Sequence, residues 1–114
     1  SMAEEMNDCA IEFSPDIDEI IEVGLTKESS NTVNVPRIKE SLVHLECELE
    51  KVLHFGDKPG AGSLVIGKVV HVHVNDALYD KGRIDSTKLK PIGRMAGNMF
   101  TDPLAKIFEM ERKT

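Results

Sequence analysis

Two long segments rich in β-branched residues constrain the fold of this sequence more than any other feature. Residues 42–55 alternate apolar and polar side chains, and residues 63–74 are dense in valine and isoleucine, so each segment predicts a long strand. The glycine-rich residues 56–62 between them predict a turn. We therefore expect one long antiparallel hairpin, which must pack against other protein because an isolated hairpin is marginally stable in water.

The alternation also predicts which side chains share a face. In the first strand the half-buried face is expected to carry Val43, Leu45, Cys47 and Leu49, and the polar face His44, Glu46, Glu48 and Glu50. In the second strand one face is expected to carry Leu64, Ile66, Lys68, Val70, Val72 and Val74, and the other Val65, Gly67, Val69, His71 and His73. Both predictions follow from the period of two that a strand imposes on its side chains.

Short helices are predicted on both sides of the hairpin. The expected elements are helices at residues 2–12 and 15–23, an extended connection at 26–36, a short helix capped by Asp85, and a C-terminal helix from Asp102 through Glu111. Serine or aspartate before a helix and proline at its first position are typical start signals. The predicted fold class is therefore α+β, mainly β. We expect residues 1–114 to form a single domain, and we interpret Ser1 as a tag remnant.

Charge and composition exclude several classes of function. The net charge is −6, and residues 1–30 hold nine acidic residues against Lys27 alone. Nucleic-acid binding needs a basic face to displace counterions, and single-strand binding also needs aromatic residues, which make up only 4% of this sequence. No apolar run approaches the roughly 20 residues of a membrane-spanning helix. We therefore expect neither a nucleic-acid partner nor a membrane-embedded protein.

The cysteines and histidines form no recognisable redox or metal motif. Cys9 and Cys47 are far apart and no Cys-x-x-Cys pair exists, so we expect free thiols in a reducing cytoplasm, with Cys47 buried and inert. A disulfide would require an extracellular location. His71 and His73 alternate along one strand and His44 could lie across from them, but a metal site needs three or four converging ligands. We therefore expect no metal site.

Four short blocks, in order along the chain, match a known family. They are Pro36-Arg37-Ile38-Lys39-Glu40-Ser41 with Leu45-Glu46-Cys47, Val65-Ile66-Gly67-Lys68-Val69-Val70 with Val72-His73-Val74, Lys81-Gly82-Arg83-Ile84-Asp85, and Arg94-Met95-Ala96-Gly97-Asn98-Met99-Phe100. Together they resemble the flavin reductase-like, FMN-binding split-barrel family over most of residues 3–100. The resemblance implies a partial FMN-binding split β-barrel.

The resemblance also implies a function. Members of the family bind FMN, take hydride from NAD(P)H, pass reducing equivalents to free flavin or another acceptor, and form homodimers. The candidate cofactor-binding residues are Arg94, Asn98, Phe100 and Ser63. A guanidinium suits a phosphate or the polar edge of a flavin, and a phenyl ring can pack on its ring system. The simpler alternatives are an arginine that caps a turn, a polar loop residue, a core aromatic and a solvated turn serine.

Departures from the family pattern limit this expectation. The family's N-terminal half, which lines the flavin ring and holds its phosphate, has no counterpart before Ala3. Lys58 stands where some relatives have histidine, and Phe100 replaces a tyrosine and so lacks a hydroxyl donor. We therefore expect a fragment that contributes the far wall of the flavin site and the dimer surface, and that is inactive alone. The alternative is a non-catalytic split-barrel remnant that acts as a dimerisation module without flavin.

Overall fold

The computed structural model describes residues 2–113. It contains two long strands, six short strands and a few short helices. The helices are α1 (Ala3–Asp8), α2 (Glu19–Glu22) and α3 (Ser86–Leu89), with 3₁₀ turns at Asp76–Leu78 and Pro103–Ala105. The strands are β1 (Lys27–Glu28), β2 (Arg37–Ile38), β3 (Val43–His54), β4 (Ser63–Val74), β5 (Tyr79–Asp80), β6 (Arg83–Ile84), β7 (Gly93–Arg94) and β8 (Phe100–Thr101). The mainly β prediction is confirmed. Consecutive strands pair into two-stranded sheets, and within residues 2–113 no sheet closes into a barrel.

The long hairpin is confirmed by β3 and β4. Its register runs from the Val43–Val74 pair at the open end to the His54–Ser63 pair beside the turn. Each strand has twelve residues, and the pairing is antiparallel throughout. The β-branched side chains favour this extended backbone, and the glycines of the connection allow the reversal between the strands.

A bulge in β4 changes which side chains share a face. Glu46 pairs with His71 and Cys47 pairs with Val69, so Val70 has no partner opposite it. Because of the extra residue, the side chains beyond the bulge point to the opposite face from the one that simple alternation predicts. The prediction that His71 lies on the same face as Val69 is therefore wrong, because directly paired residues point to the same side of the sheet.

The apolar face of the hairpin, defined as Leu45, Leu49, Val65, Val69 and Val72, is exposed to solvent. These five side chains are 47–69% exposed, although the sequence predicted that Leu45 and Leu49 would be half-buried. Cys47 lies between them along β3 and is likewise exposed, so the prediction of a buried thiol is wrong for the chain described here. The reason is that no helix or strand of residues 2–113 packs over this face closely enough to bury it.

The chain exposes more surface than a compact protein of its mass. Its accessible surface is 9890 Å², whereas a folded monomer of 12.6 kDa exposes about 6,200 Å². Its radius of gyration is 17.0 Å, compared with about 13 Å for a compact chain of this length. Among the described residues, the buried apolar side chains are Leu25 and Leu78. The hydrophobic core formed within this chain is therefore very small.

The helices before the hairpin are shorter than predicted. α2 covers only Glu19–Glu22, and its cap is Asp18, whose carboxylate accepts a hydrogen bond from the Ile20 N–H at 3.2 Å. The predicted start at Ser14 instead closes a turn, in which the Ile17 N–H donates to the Ser14 carbonyl at 2.9 Å. Asp18 was not among the predicted caps; it lies nearer the isoleucine pair and begins the helix.

The two predicted caps after the hairpin behave differently. Asp85 caps α3 as expected, accepting from the Thr87 N–H at 2.9 Å. Asp102 caps only a 3₁₀ turn, so the prediction of a C-terminal helix is wrong. Ile107 and Phe108 are 62% and 70% exposed, and a short amphipathic helix is unstable without a surface to pack on. No helix in the described part of the chain is long and apolar enough to cross a lipid bilayer.

Candidate functional site

The β7–β8 hairpin brings together two of the four predicted cofactor-binding residues. Arg94 and Phe100 are direct cross-strand partners, and the Arg94 Cζ atom lies 4.8 Å from the centre of the Phe100 ring. A guanidinium at this distance is attracted to the face of an aromatic ring. Asn98 belongs to the turn that connects the two strands. The sequence motif therefore folds into one small unit that carries a cation and a ring.

Arg94 also holds this turn together. Its Nη1 atom donates hydrogen bonds to the carbonyls of Met95 and Met99, each at 3.0 Å. Gly97 has a φ of 61°, a left-handed backbone conformation that glycine adopts without a steric cost. The turn-capping role that the sequence allowed for Arg94 is thus present in the structure. The cofactor-binding role of Arg94, Asn98 and Phe100 stays a prediction.

A shallow cleft of about 300 Å³ opens beside the Arg94–Phe100 pair. Its lining residues are Met6, Asn7, Ala10, Ile92, Arg94 and Phe100. Ligand sites are mostly apolar with a few polar groups that set orientation, and they bury about 70–90% of the ligand surface. The mixture of apolar walls and one cation fits a flavin ring with a polar edge.

Ser63 lies in a different hairpin from the Arg94–Phe100 pair. It stands at the turn end of β4, directly opposite His54, and its Oγ atom lies 3.0 Å from the Nδ1 atom of that histidine. This hydrogen bond joins the two strands beside the glycine-rich turn. The structure therefore does not assemble the four predicted residues into one cluster, and the role of Ser63 in cofactor binding stays a prediction.

The most elaborate polar cluster centres on Glu46, which the sequence placed on an exposed polar face. Glu46 is only 3% exposed. Its Oε1 atom accepts hydrogen bonds from the Thr32 N–H at 2.7 Å and from the Thr32 hydroxyl at 2.8 Å, and its Oε2 atom accepts from the Asn31 N–H at 2.9 Å. Oε2 also contacts the Nε2 atom of His73. The carboxylate thus anchors the loop before β2 to the hairpin.

These contacts set the ionisation of Glu46. Burial raises the pKa of its carboxyl group, but hydrogen bonds from the Asn31 N–H, from His73 and from Thr32 outweigh burial and hold the pKa well below its usual range. Glu46 is therefore a buried carboxylate. The alternation of apolar and polar residues predicted an exposed glutamate because it contains no information about the loop that covers this side chain. The polar Ser-Ser-Asn-Thr sequence of that loop was the available signal for such a contact.

The histidines lie beside this carboxylate. The ring centres of His71 and His73 are 4.6 Å apart, and that of His44 is 5.7 Å from that of His73, edge-on. The sequence predicted no metal site, because two alternating histidines provide too few ligands. The structure adds Glu46 as a third donor, so that Glu46, His71 and His73 each place one donor atom within 4.8 Å of the others.

Comparison with known proteins identifies the family. The profile described as "Flavin reductase like domain" matches residues 1–88. An uncharacterised protein of Halalkalibacterium halodurans is 38% identical over 113 residues, which cover 97% of this chain and 54% of that protein. The chain thus spans about half the length of this relative.

Solved structures give the same result. Nitrilotriacetate monooxygenase component B from Bacillus cereus is 38% identical, with a TM-score of 0.88 over 96% of this chain and 55% of that one. A Shewanella frigidimarina protein whose name includes a split barrel domain shares the fold, with 22% identity and a TM-score of 0.79 over 98% of this chain and 56% of that one. The family resemblance is confirmed, and the chain belongs to the flavin reductase-like domain family.

Proposed function

We propose that this chain forms part of an FMN-dependent flavin reductase that uses NAD(P)H and reduces free flavin or another acceptor. The match of residues 1–88 to the flavin reductase-like domain carries this proposal. The relation to a monooxygenase component of Bacillus cereus supports it, because monooxygenases consume reducing equivalents. The chemistry that bound FMN would supply is hydride acceptance from the nicotinamide and delivery to the acceptor.

The protein's own residues would bind and orient the cofactor. Arg94 would present its cation to the phosphate or to the polar edge of the flavin, since the guanidinium is already fixed by its hydrogen bonds to the turn. Phe100 would add an apolar surface, and Asn98 an amide at the turn. Ser63 would donate a hydroxyl from the end of the long hairpin. A preorganised donor loses less side-chain entropy on binding, so its contribution to affinity is larger.

The exposed surface supports the proposal that further protein completes the site. The apolar face of the hairpin is uncovered, and the total surface exceeds that of a compact monomer by more than a standard protein interface buries. We expect this face to be covered in a homodimer or by further polypeptide, and we expect the isolated 114 residues to lack activity. Both cysteines are free, which agrees with a location in the reducing cytoplasm.

A titration with FMN tests the proposal. FMN is added to this chain and to the Halalkalibacterium halodurans relative, and flavin absorbance and fluorescence are followed, with anaerobic NADH and NADPH then added to the FMN-loaded protein. We expect the relative to bind FMN and to bleach its visible absorbance, and this chain to bind more weakly. Binding by neither protein would refute the proposal and would favour the dimerisation module without flavin.

A matched pair of substitutions tests the residues. Arg94→Ala in this chain removes a charged hydrogen-bond donor, so its FMN affinity is expected to fall about 10–100-fold. Arg83→Ala, which removes an exposed arginine of the β5–β6 hairpin, is the control and should leave affinity unchanged. Equal affinities for both variants would remove Arg94 from the site.

A further inference from the structure

The Glu46, His71 and His73 side chains meet on one face of the long hairpin, away from the Arg94–Phe100 cleft. Glu46 and His71 are direct cross-strand partners, and His73 follows two residues later in β4, so all three point to the same side of the sheet. One donor atom from each lies within 4.8 Å of the others. The pairing of two strands, which holds the backbone rigid, therefore creates the cluster.

The carboxylate is held in one orientation before any ligand arrives. Oε1 of Glu46 is occupied by the N–H and hydroxyl of Thr32, whereas Oε2 faces His73 and accepts one further bond from the Asn31 N–H. Ligating carboxylates in metal sites are typically oriented by such additional hydrogen bonds. Glu46 is also buried, so a cation beside it would be poorly screened by water.

The two imidazoles supply nitrogen donors at the edge of this buried carboxylate. Both histidines are half-buried, and the His71 Nε2 atom lies 3.4 Å from the Asn31 side-chain nitrogen. His73 contacts Oε2 through its own Nε2 atom. Two imidazoles and one carboxylate are the ligand set of many sites for zinc and similar divalent transition metals.

We propose that Glu46, His71 and His73 form a binding site for a divalent transition-metal ion, with zinc as the representative ion and one coordination position left open. Ligand atoms around a tetrahedral zinc lie about 3.3 Å apart, since zinc–nitrogen and zinc–oxygen bonds are about 2.0–2.2 Å long. Small side-chain rotations bring the present donors to that spacing. The ion takes the place of the contact between the His73 Nε2 atom and the Glu46 Oε2 atom, and three protein ligands leave the fourth position to water or an external ligand.

Metal titration of the tag-free chain, after treatment with a chelator, tests this site. Zn²⁺ binding is measured by calorimetry, and Co²⁺ is used as a coloured substitute whose visible absorption reports coordination. We expect one equivalent of metal per chain and an intense, tetrahedral-type Co²⁺ spectrum. His71→Ala and His73→Ala should each weaken Zn²⁺ binding at least about tenfold, since outer hydrogen-bond partners alone contribute about 10–100-fold.

Two further variants separate a metal site from a purely structural anchor. His54→Ala removes an exposed histidine of the same hairpin and should leave Zn²⁺ affinity unchanged. Thr32→Val removes the hydroxyl that orients Oε1 and should lower affinity about 10–100-fold without removing a ligand. Circular dichroism shows whether each variant is folded, and only folded variants are compared.

The outcomes that overturn the proposal are definite. Absence of Zn²⁺ binding, or binding that His71→Ala and His73→Ala leave unchanged, would show that the cluster is a hydrogen-bonded anchor for the loop. A loss caused equally by His54→Ala would show non-specific binding to exposed histidines. Neither result bears on FMN binding, because none of the three proposed metal ligands is among the proposed FMN-binding residues.

Discussion

Charged substitution of the Leu45–Val72 pair should strongly weaken self-association of this chain. These two side chains are direct cross-strand partners on the apolar face, and they are 59% and 49% exposed. Full burial of a valine or leucine contributes about 1.5–3 kcal/mol, so covering what remains exposed of this pair contributes about 1.5–3 kcal/mol per chain. In a dimer that covers the pair in both copies, the contribution doubles to about 3–6 kcal/mol.

The perturbation is Leu45→Glu together with Val72→Lys. Opposite charges at directly paired positions attract each other, so the hairpin itself should be preserved while its apolar surface is lost. The dimer dissociation constant is expected to rise about 10²–10⁴-fold. Sedimentation velocity over a range of protein concentrations measures this change, and circular dichroism checks that the strands persist.

The control exchanges a charged pair on the opposite face of the same hairpin. Glu48 and Lys68 are also direct partners, so Glu48→Lys with Lys68→Glu keeps their attraction and leaves the apolar face intact. The control should associate as the unsubstituted chain does. If the unsubstituted chain stays monomeric at every concentration, or if the charged variant associates equally well, the inference that a homodimer covers this face is refuted. A monomeric chain would leave further polypeptide as the covering surface.

Two further predictions concern stability. Leu78→Ala should lower the free energy of unfolding by about 2–5 kcal/mol in a urea titration, because Leu78 is only 3% exposed, whereas Ile107→Ala should change it by less than about 0.5 kcal/mol, because Ile107 is 62% exposed and lies outside the apolar face; similar effects for both would contradict the assigned core. Hydrogen bonds from Thr26 lower the pKa of Glu40, so their stabilising contribution is present above pH 4.5 and is lost as the pH falls through the lowered pKa. The Thr26 amide resonance should titrate with a midpoint below pH 4.5, and this titration should vanish in Glu40→Gln, whereas its persistence would assign it to another group.

Local features of the structure were predictable because short-range chemistry decides them. The bounds of β4 follow from its run of β-branched residues, and the cap at Asp85 depends on a hydrogen bond only two residues long. In both cases the interacting groups are close in sequence, so their spacing contains the necessary information. The pairing of Arg94 with Phe100, in contrast, was not predicted, because residues 93–100 show no clear alternation in the sequence.

The environment of Glu46 was not predictable in this way. The amides that bind its carboxylate come from residues about fifteen positions earlier, so its burial depends on how a loop crosses the hairpin. The bulge at Val70 had no sequence signal either, because valine at an unpaired position resembles valine in a regular strand. The third donor beside His71 and His73 therefore became visible only in three dimensions.

By itself, the amino-acid sequence determined that a long two-stranded ribbon forms and that the chain is related to flavin reductases. Only the tertiary structure decided that Glu46 is buried, that His71 and His73 lie beside it, and that the apolar face of the ribbon faces solvent. The physical reason is that backbone preference and side-chain period act over a few residues. Burial, in contrast, is set by contacts between segments distant in sequence.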